Sequence, residues 1–122
     1  MIWPDVPCVV VAGEPVPWER AGGGKRKYTK PRTKAYQDAV AITYVNQGGL
    51  RAGSARVSVA IDVYRSTHRR CDVDNLAKTV LDALNGLAWD DDSQVDELRV
   101  RRSVDRAAPR CEVQVVVIEG ER

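Results

Sequence analysis

Two aspartates separated by one residue, Asp72 and Asp74, stand at the start of an apolar pattern with helical spacing. The apolar residues of that pattern are Leu76, Ala77, Val80, Leu81 and Leu84. The pattern predicts a helix that begins at the aspartates. The polar residues on its other side also recur three or four positions apart: Asp74, Lys78, Asp82 and Asn85. Lys78 is therefore expected one turn above Asp74.

Helix capping explains one carboxylate of the pair, because a short acidic side chain accepts hydrogen bonds from first-turn amides and suits the positive end of the helix dipole. A second carboxylate at the same place adds like-charge repulsion, which a divalent cation would relieve. Oxygen-rich sites with few protein ligands suit magnesium. A capped helix and a magnesium site therefore both remain open for Asp72 and Asp74.

A third acidic cluster, Asp90-Asp91-Asp92, follows the helix-stop signal Asn85-Gly86. A solvated loop that caps a short turn at Ser93-Gln94 explains two of these carboxylates. The remaining one is a candidate metal ligand.

In their order and spacing, these segments resemble the RusA-like Holliday-junction resolvases, endodeoxyribonucleases of bacteria and their phages. The matching segments are Asp72-x-Asp74-Asn75-Leu76-x-Lys78, Asp82-Ala83-Leu84-Asn85-Gly86, and Trp89 with Asp91-Asp92-Ser93-Gln94-Val95. Upstream matches are Gly13-Glu14-Pro15-Val16-Pro17, Tyr28-Thr29-Lys30 and Thr33-Lys34-Ala35-Tyr36, so the resemblance covers most of the chain. Two positions depart from the family pattern. Cys71 stands where Pro or Arg is more usual, and Arg102 occupies a common lysine position.

The resemblance implies that three aspartates, by position Asp72, Asp74 and Asp92, bind magnesium and that Lys78 assists catalysis. Manganese is the expected substitute ion. The implied activity is hydrolysis of phosphodiester bonds in branched DNA, above all the four-way junction, during recombination and repair. Resolution requires cuts in two opposed strands, whereas the aspartates of one chain supply a single candidate catalytic site, so we expect a twofold homodimer.

Two other classes of function remain compatible with these residues. A non-catalytic DNA-binding or architectural protein would use the aspartates only as helix caps. A metal-dependent hydrolase of nucleotides or small phosphate esters would keep the metal site, but would have little use for basic segments.

The distribution of charge is more informative than the net charge of +2. Between Trp18 and Tyr36 seven basic residues stand against one acid, Glu19, whereas acids concentrate from Asp72 to Glu97. This polarity is expected of a protein that binds phosphates around a metal-holding centre. The residues predicted to bind DNA are Arg20, Lys25, Arg26, Lys27, Arg69, Arg70 and Arg102. His68, a lone histidine, is given no catalytic role.

Arg102 interrupts the alternation of the predicted strand from Val95 to Val104, because it falls on the same face as Leu98 and Val100. We expect its guanidinium to point inward. A buried guanidinium needs a carboxylate or phosphate partner, so either the aspartate cluster or the scissile phosphate would serve.

With 122 residues, 43% of them hydrophobic, the chain suits one domain over residues 1–122. Strands are predicted at 8–12, 57–64, 95–104 and 111–119, with helices at about 33–46 and from the Asp72 region to Leu84. The predicted fold is α/β (α+β), a mixed sheet of about four strands with two helices, of the RusA-like type. The last two strands are expected to form a hairpin. A flexible, basic, glycine-rich loop is predicted at about 18–30.

The three cysteines, Cys8, Cys71 and Cys111, match no zinc spacing and cannot all pair. We expect reduced thiols and a cytoplasmic protein of a bacterial cell. The apolar run from Cys8 to Ala12 is far too short for a signal core or a membrane span, so no membrane association is expected.

Overall fold

The computed structural model describes residues 1–19 and 30–118. Its strands are β1 (Val9–Ala12), β2 (Val57–Arg65), β3 (Val95–Val104) and β4 (Arg110–Val117), and its helices are α1 (Pro31–Asn46) and α2 (Val73–Leu84). The predicted fold class, two helices with a four-stranded mixed sheet, is confirmed. Most of the predicted loop at 18–30 lies outside the described residues, together with Arg20, Lys25, Arg26 and Lys27.

The sheet has the order β1-β4-β2-β3. β2 runs parallel to β3 and antiparallel to β4, and β1 pairs antiparallel with β4. The predicted hairpin of the last two strands is therefore wrong, because β2 lies between them. The reason is burial. Most of β2 is buried on both faces, which favours a central position, whereas most of β3 is exposed and lies at an edge.

One hydrophobic core joins the two helices to one face of the sheet. The strands contribute alternate residues of β2, Val57, Val59, Ile61 and Val63, which are almost wholly inaccessible. Tyr36, Val40 and Tyr44 of α1 and Leu76, Val80 and Leu84 of α2 belong to the same cluster. The apolar half of α2 is thus fixed in the core, and its polar stripe is left at the surface. No helix among residues 1–19 and 30–118 is long and apolar enough to cross a bilayer.

The other face of the sheet carries a buried carboxylate, Asp62 of β2, which is 1% exposed. Arg101 Nη2 on β3 lies 2.5 Å from Asp62 Oδ2, and the Tyr64 hydroxyl donates to the same oxygen at 3.0 Å. Burial alone would raise the pKa of Asp62, but the hydrogen bonds from Arg101 and Tyr64 hold the pKa below its usual value. This ion pair ties the edge strand to the centre of the sheet.

Asp62→Ala is expected to lower the free energy of unfolding by about 2 kcal/mol at pH 7, the usual range for a hydrogen-bonded charge whose partner can still reach water. Because the folded-state pKa is depressed, this contribution is present above the unfolded value near 3.9 and is lost as pH falls through the lower folded value. The difference in free energy of unfolding between the wild type and Asp62→Ala, measured by urea unfolding, should therefore be smaller at about pH 3 than at pH 7.

Asp38→Ala is the matched control, since exposed Asp38 pairs with Lys34 at 2.8 Å on the surface of α1. Its effect should stay within about 0.5 kcal/mol. Equal losses for the two variants would contradict a structural role of the Asp62 pair.

Candidate active site

The N-terminus of α2 holds Asp72 at the N-cap position with extended backbone angles, and its side chain makes no capping hydrogen bond. Asp74 lies in the first turn and accepts a hydrogen bond at Oδ1 from the Asn75 amide, at 3.0 Å. Both aspartates are exposed. The capping interpretation therefore does not describe Asp72, whose carboxylate is not engaged by the helix amides.

An open pocket of about 550 Å³ lies between α2 and β3. Its charged lining is formed by Asp74, Lys78, Asp82 and Asp92. Its apolar wall is formed by Val73, Ala77, Leu81, Leu98 and Val100. Three members of the predicted polar stripe thus lie in one pocket with Asp92, the last of the three consecutive aspartates Asp90-Asp91-Asp92. Asp72 lies outside this lining.

Lys78 has two close neighbours in the pocket region. Its Nζ lies 3.4 Å from Asp82 Oδ2, one turn further along the helix, and 4.8 Å from the centroid of the Trp18 ring. The Trp18 amide donates to the Asn75 carbonyl at 3.0 Å, which fixes the indole against α2. Sequence patterns did not identify Trp18 as a site residue, because its contact with Lys78 joins segments 60 positions apart.

The three consecutive carboxylates of the loop have different surroundings. Asp91 caps the 3-10 turn Asp92–Gln94: its Oδ2 accepts from the Ser93 amide at 2.9 Å, and its own amide donates to Gln94 Oε1 at 2.8 Å. Hydrogen bonds from Ser93 lower the pKa of Asp91. Asp90 is exposed to solvent. The predicted cap of the Ser93-Gln94 turn is confirmed.

Asp92 is held by a different contact. Its Oδ1 accepts a hydrogen bond at 2.8 Å from Nε1 of Trp89, a side chain that is 1% exposed. Because the indole is fixed in the core, it restricts the orientation of the carboxylate beside the pocket. Of the three loop aspartates, Asp92 alone lines the pocket that contains Asp74 and Lys78.

Carboxylates are the potential metal ligands of the pocket. Within the described ranges, no three His, Cys, Asp or Glu side chains lie close enough to enclose one ion. The pocket nevertheless offers carboxylate oxygens, which are the ligands that hard cations prefer, and magnesium commonly takes one or two protein carboxylates and keeps several waters. The chemistry of Asp74 and Asp92 therefore fits magnesium better than a softer metal.

Arg102 is exposed, so the prediction that its guanidinium points inward is wrong. Its Nη1 donates to the carbonyl oxygen of Cys71, directly before Asp72. The alternation of β3 was interpreted as if the face that carries Leu98 and Val100 were covered, but β3 is an edge strand and most of it is exposed. The Arg102 side chain therefore extends over the exposed surface, and its guanidinium holds the backbone at Cys71, just before α2 begins.

Arg69 and Arg70 lie in the exposed segment between β2 and α2. This segment is braced by Arg65 Nη1, which donates to the Arg69 carbonyl at 2.5 Å, and by Thr67 Oγ1, which accepts from the Arg69 amide at 3.2 Å. Glu14 Oε2 accepts from the Ser66 amide at 3.2 Å. Two exposed guanidinium groups are thus presented on an anchored segment that leads into Asp72.

Comparison with known proteins agrees with these features. The family model described as "Endodeoxyribonuclease RusA" matches residues 10–116. Proteins named "Crossover junction endodeoxyribonuclease RusA" from Escherichia coli strain K12 and strain UTI89 are each 30% identical to this chain over 114 residues. Each alignment covers 87% of this chain and 94% of the relative.

Proposed function

The chain belongs to the RusA family of endodeoxyribonucleases, and from this premise we propose that it is a magnesium-dependent, structure-specific endodeoxyribonuclease that resolves Holliday junctions during recombination and repair. The observation that carries the proposal is the shared pocket of Asp74, Lys78 and Asp92. The neighbouring Asp91 has a separate, structural task in the turn. Charged groups of both signs therefore converge at one open surface that a DNA backbone can approach.

In this proposal Asp74 and Asp92 of the pocket and Asp72 beside it would hold the magnesium ion, for which manganese would substitute. Because no three carboxylates of the described residues lie within reach of one ion, Asp72 would have to move toward the pocket when the ion binds. A bound ion would supply Lewis-acid stabilisation of the charge that develops on the phosphate oxygens. Asp92 keeps its orientation through Trp89. Lys78 presents its ammonium to the same pocket and neutralises charge on the phosphorane or on the leaving oxygen.

Trp18 and Asp82 orient Lys78 for this role. The indole face and the carboxylate together limit the positions of a long, flexible side chain. Holding the ammonium in place before the substrate arrives reduces the entropy that must be lost in the transition state.

A direct test compares cleavage of a labelled four-way junction in magnesium, in manganese and in EDTA. Nicks in two opposed strands are expected with either ion and none with EDTA. Binding without cleavage in every condition would favour the alternative, a non-catalytic DNA-binding or architectural protein. The observation that speaks against that alternative is the Asp72 carboxylate, which makes no capping hydrogen bond.

The DNA backbone is proposed to contact the basic residues Arg20, Lys25, Arg26, Lys27, Arg69, Arg70 and Arg102. Of these, Arg69, Arg70 and Arg102 are exposed near the entrance to α2. Contacts of this kind set position and affinity but carry little sequence information.

Replacing Arg69 and Arg70 with Ala should weaken binding and reduce its salt dependence, because every phosphate that is no longer neutralised lowers the slope of log K against log salt by about 0.9. Junction affinities measured over a series of salt concentrations will report this slope. Arg106→Ala is a suitable control, since Arg106 is an exposed arginine of the turn between β3 and β4. An unchanged slope in the Arg69/Arg70 variant would remove these residues from the DNA interface.

A further inference from the structure

Two carboxylates of the pocket, Asp74 and Asp92, are carried by very different elements. Asp74 belongs to α2, whose apolar side is buried in the core, whereas Asp92 opens a 3-10 turn of only three residues, Asp92–Gln94. A turn of this length has little stability of its own. The position of Asp92 relative to Asp74 therefore depends on what attaches this turn to the rest of the fold.

The side chain of Gln94, the last residue of the turn, provides such an attachment and is 8% exposed. Its Nε2 donates to the carbonyl oxygens of Gly53 and Ala55, each at 2.7 Å. Its Oε1 accepts from the Asp91 amide at 2.8 Å. Capping of the turn requires only the bond at Oε1. The two bonds from Nε2 have a different effect, because they join the turn to a segment about 40 positions earlier in the chain.

The segment that receives these bonds is the loop 53–56, which leads directly into β2. β2 is an inner strand of the sheet, and most of its residues are buried. The same loop also holds the residues before the turn, since the Asp90 amide donates to the Gly53 carbonyl at 3.0 Å. The side-chain amide of Gln94 therefore ties the turn to the start of an inner strand.

Arg56 adds a weaker attachment from this loop. Its Nη2 donates to the Ser93 carbonyl at 2.6 Å, and its Nε donates to Asp96 Oδ1 at 2.7 Å. The Arg56 side chain is 55% exposed. Because water competes for these bonds, they stabilise the position of the turn less than buried bonds do. Gln94 is thus expected to have the larger effect.

We propose that Gln94, assisted by Arg56, is a positioning residue that holds Asp92 where its carboxylate can share a divalent cation with Asp74. The inference rests on the metal-dependent nuclease function proposed above. Trp89 fixes the Asp92 carboxylate, and Gln94 fixes the backbone that carries it. Both contacts are needed, because the place of a ligand atom depends on its backbone as well as on its side-chain orientation.

Metal binding in the absence of DNA tests this role. Gln94→Met keeps an unbranched side chain of similar length but removes the three hydrogen bonds of the amide group. It should weaken binding of Mn²⁺ by about 10- to 100-fold, the usual effect of losing a residue that orients a metal ligand. The electron paramagnetic resonance signal of free Mn²⁺ measures this affinity. Junction cleavage should need correspondingly more Mn²⁺ for its half-maximal rate and should approach the wild-type rate at saturating Mn²⁺.

Arg56→Met is the second variant. Since Arg56 is exposed, its replacement should leave the protein folded even if Gln94→Met does not fold. It should weaken Mn²⁺ binding in the same direction by a smaller factor.

Gln114→Met is the matched control. Gln114 is 1% exposed, its Oε1 accepts from the Ile2 and Trp3 amides at 2.9 Å, and its Nε2 donates to the Val6 carbonyl at 2.9 Å. Its neighbours along β4 belong to the core, so Gln114 lies on the face of the sheet away from the helices. The variant should lose stability in urea much as Gln94→Met does, but it should keep the wild-type affinity for Mn²⁺.

The Trp89 indole reports the position of Asp92 in the protein without metal. Its Nε1 proton is donated to Asp92 Oδ1, so its ¹H–¹⁵N resonance should change when that contact is lost. Asp92→Ala identifies this signal among those of the three tryptophans. Gln94→Met should move the resonance toward its position in Asp92→Ala, whereas Gln114→Met should leave it in place.

An unchanged Trp89 resonance and wild-type Mn²⁺ affinity in Gln94→Met would overturn the positioning role and leave the proposed nuclease activity intact. If Gln94→Met does not fold, the same result in Arg56→Met would overturn it. Equal losses of Mn²⁺ affinity in Gln94→Met and Gln114→Met would overturn it as well, since general destabilisation would then be the cause. A wild type that neither binds Mn²⁺ nor cleaves a junction would instead overturn the proposed function, and this role with it.

Discussion

Asp74→Asn protein is expected to bind a four-way junction at least as well as the wild type while cleaving it at least about 10²-fold more slowly, the loss typical of removing one group that stabilises transition-state charge. Asn is nearly isosteric, so the first turn of α2 should keep its contact with the Asn75 amide. The change removes one negative charge from the pocket and hence one source of repulsion toward DNA. Binding and chemistry should therefore separate, which gel-shift and single-turnover cleavage assays can measure in parallel.

Two loop variants control this experiment. Asp90→Asn removes an exposed carboxylate that does not line the pocket, and it should cleave normally. Asp91→Asn keeps an acceptor for the Ser93 amide, so the turn should persist with little change in rate. If Asp74→Asn cleaves as fast as Asp90→Asn, the assignment of Asp74 as a metal ligand is wrong.

The sequence predicted α2 and its polar stripe because the periodicity of a helix fixes which residues share a side. Three of the four stripe residues, Asp74, Lys78 and Asp82, line one pocket. Local rules also predicted the cap of the Ser93-Gln94 turn. Choosing Asp92 over its neighbours required the family resemblance, since three identical carboxylates have the same local chemistry. The structure distinguishes them by the partner of each carboxylate, which is the Trp89 indole for Asp92 and the Ser93 amide for Asp91.

Local rules of this kind could not predict the strand order or the long-range contacts. Alternation predicts that a residue lies on one face of a strand, but it does not state which strand lies beside it, so the hairpin prediction failed when β2 paired with both β3 and β4. The error at Arg102 has the same cause, because its predicted burial assumed that this face of β3 was covered by another element. Trp18 was missed for a related reason, because a cation–π contact between distant segments leaves no periodic signal.

Lys78→Met is expected to reduce cleavage by about 10²-fold or more, since it removes the ammonium while keeping an unbranched stem against Trp18. Junction binding should fall only slightly, because a single cation among several basic residues contributes little to the overall affinity. Lys78→Arg should rescue poorly: the guanidinium is larger and planar, and it would meet the indole and Asp82 with a different geometry.

The chain provides a matched control for this change. Lys34 pairs with Asp38 one turn further along α1, as Lys78 pairs with Asp82 along α2, but Lys34 does not line the pocket. If Lys78 only stabilises its helix through an ion pair, Lys34→Met and Lys78→Met should behave alike, with losses of about 0.5 kcal/mol in stability and normal cleavage. If Lys78 acts on the phosphate, the two variants should have similar stability in urea, and only Lys78→Met should lose the chemical step in single-turnover assays.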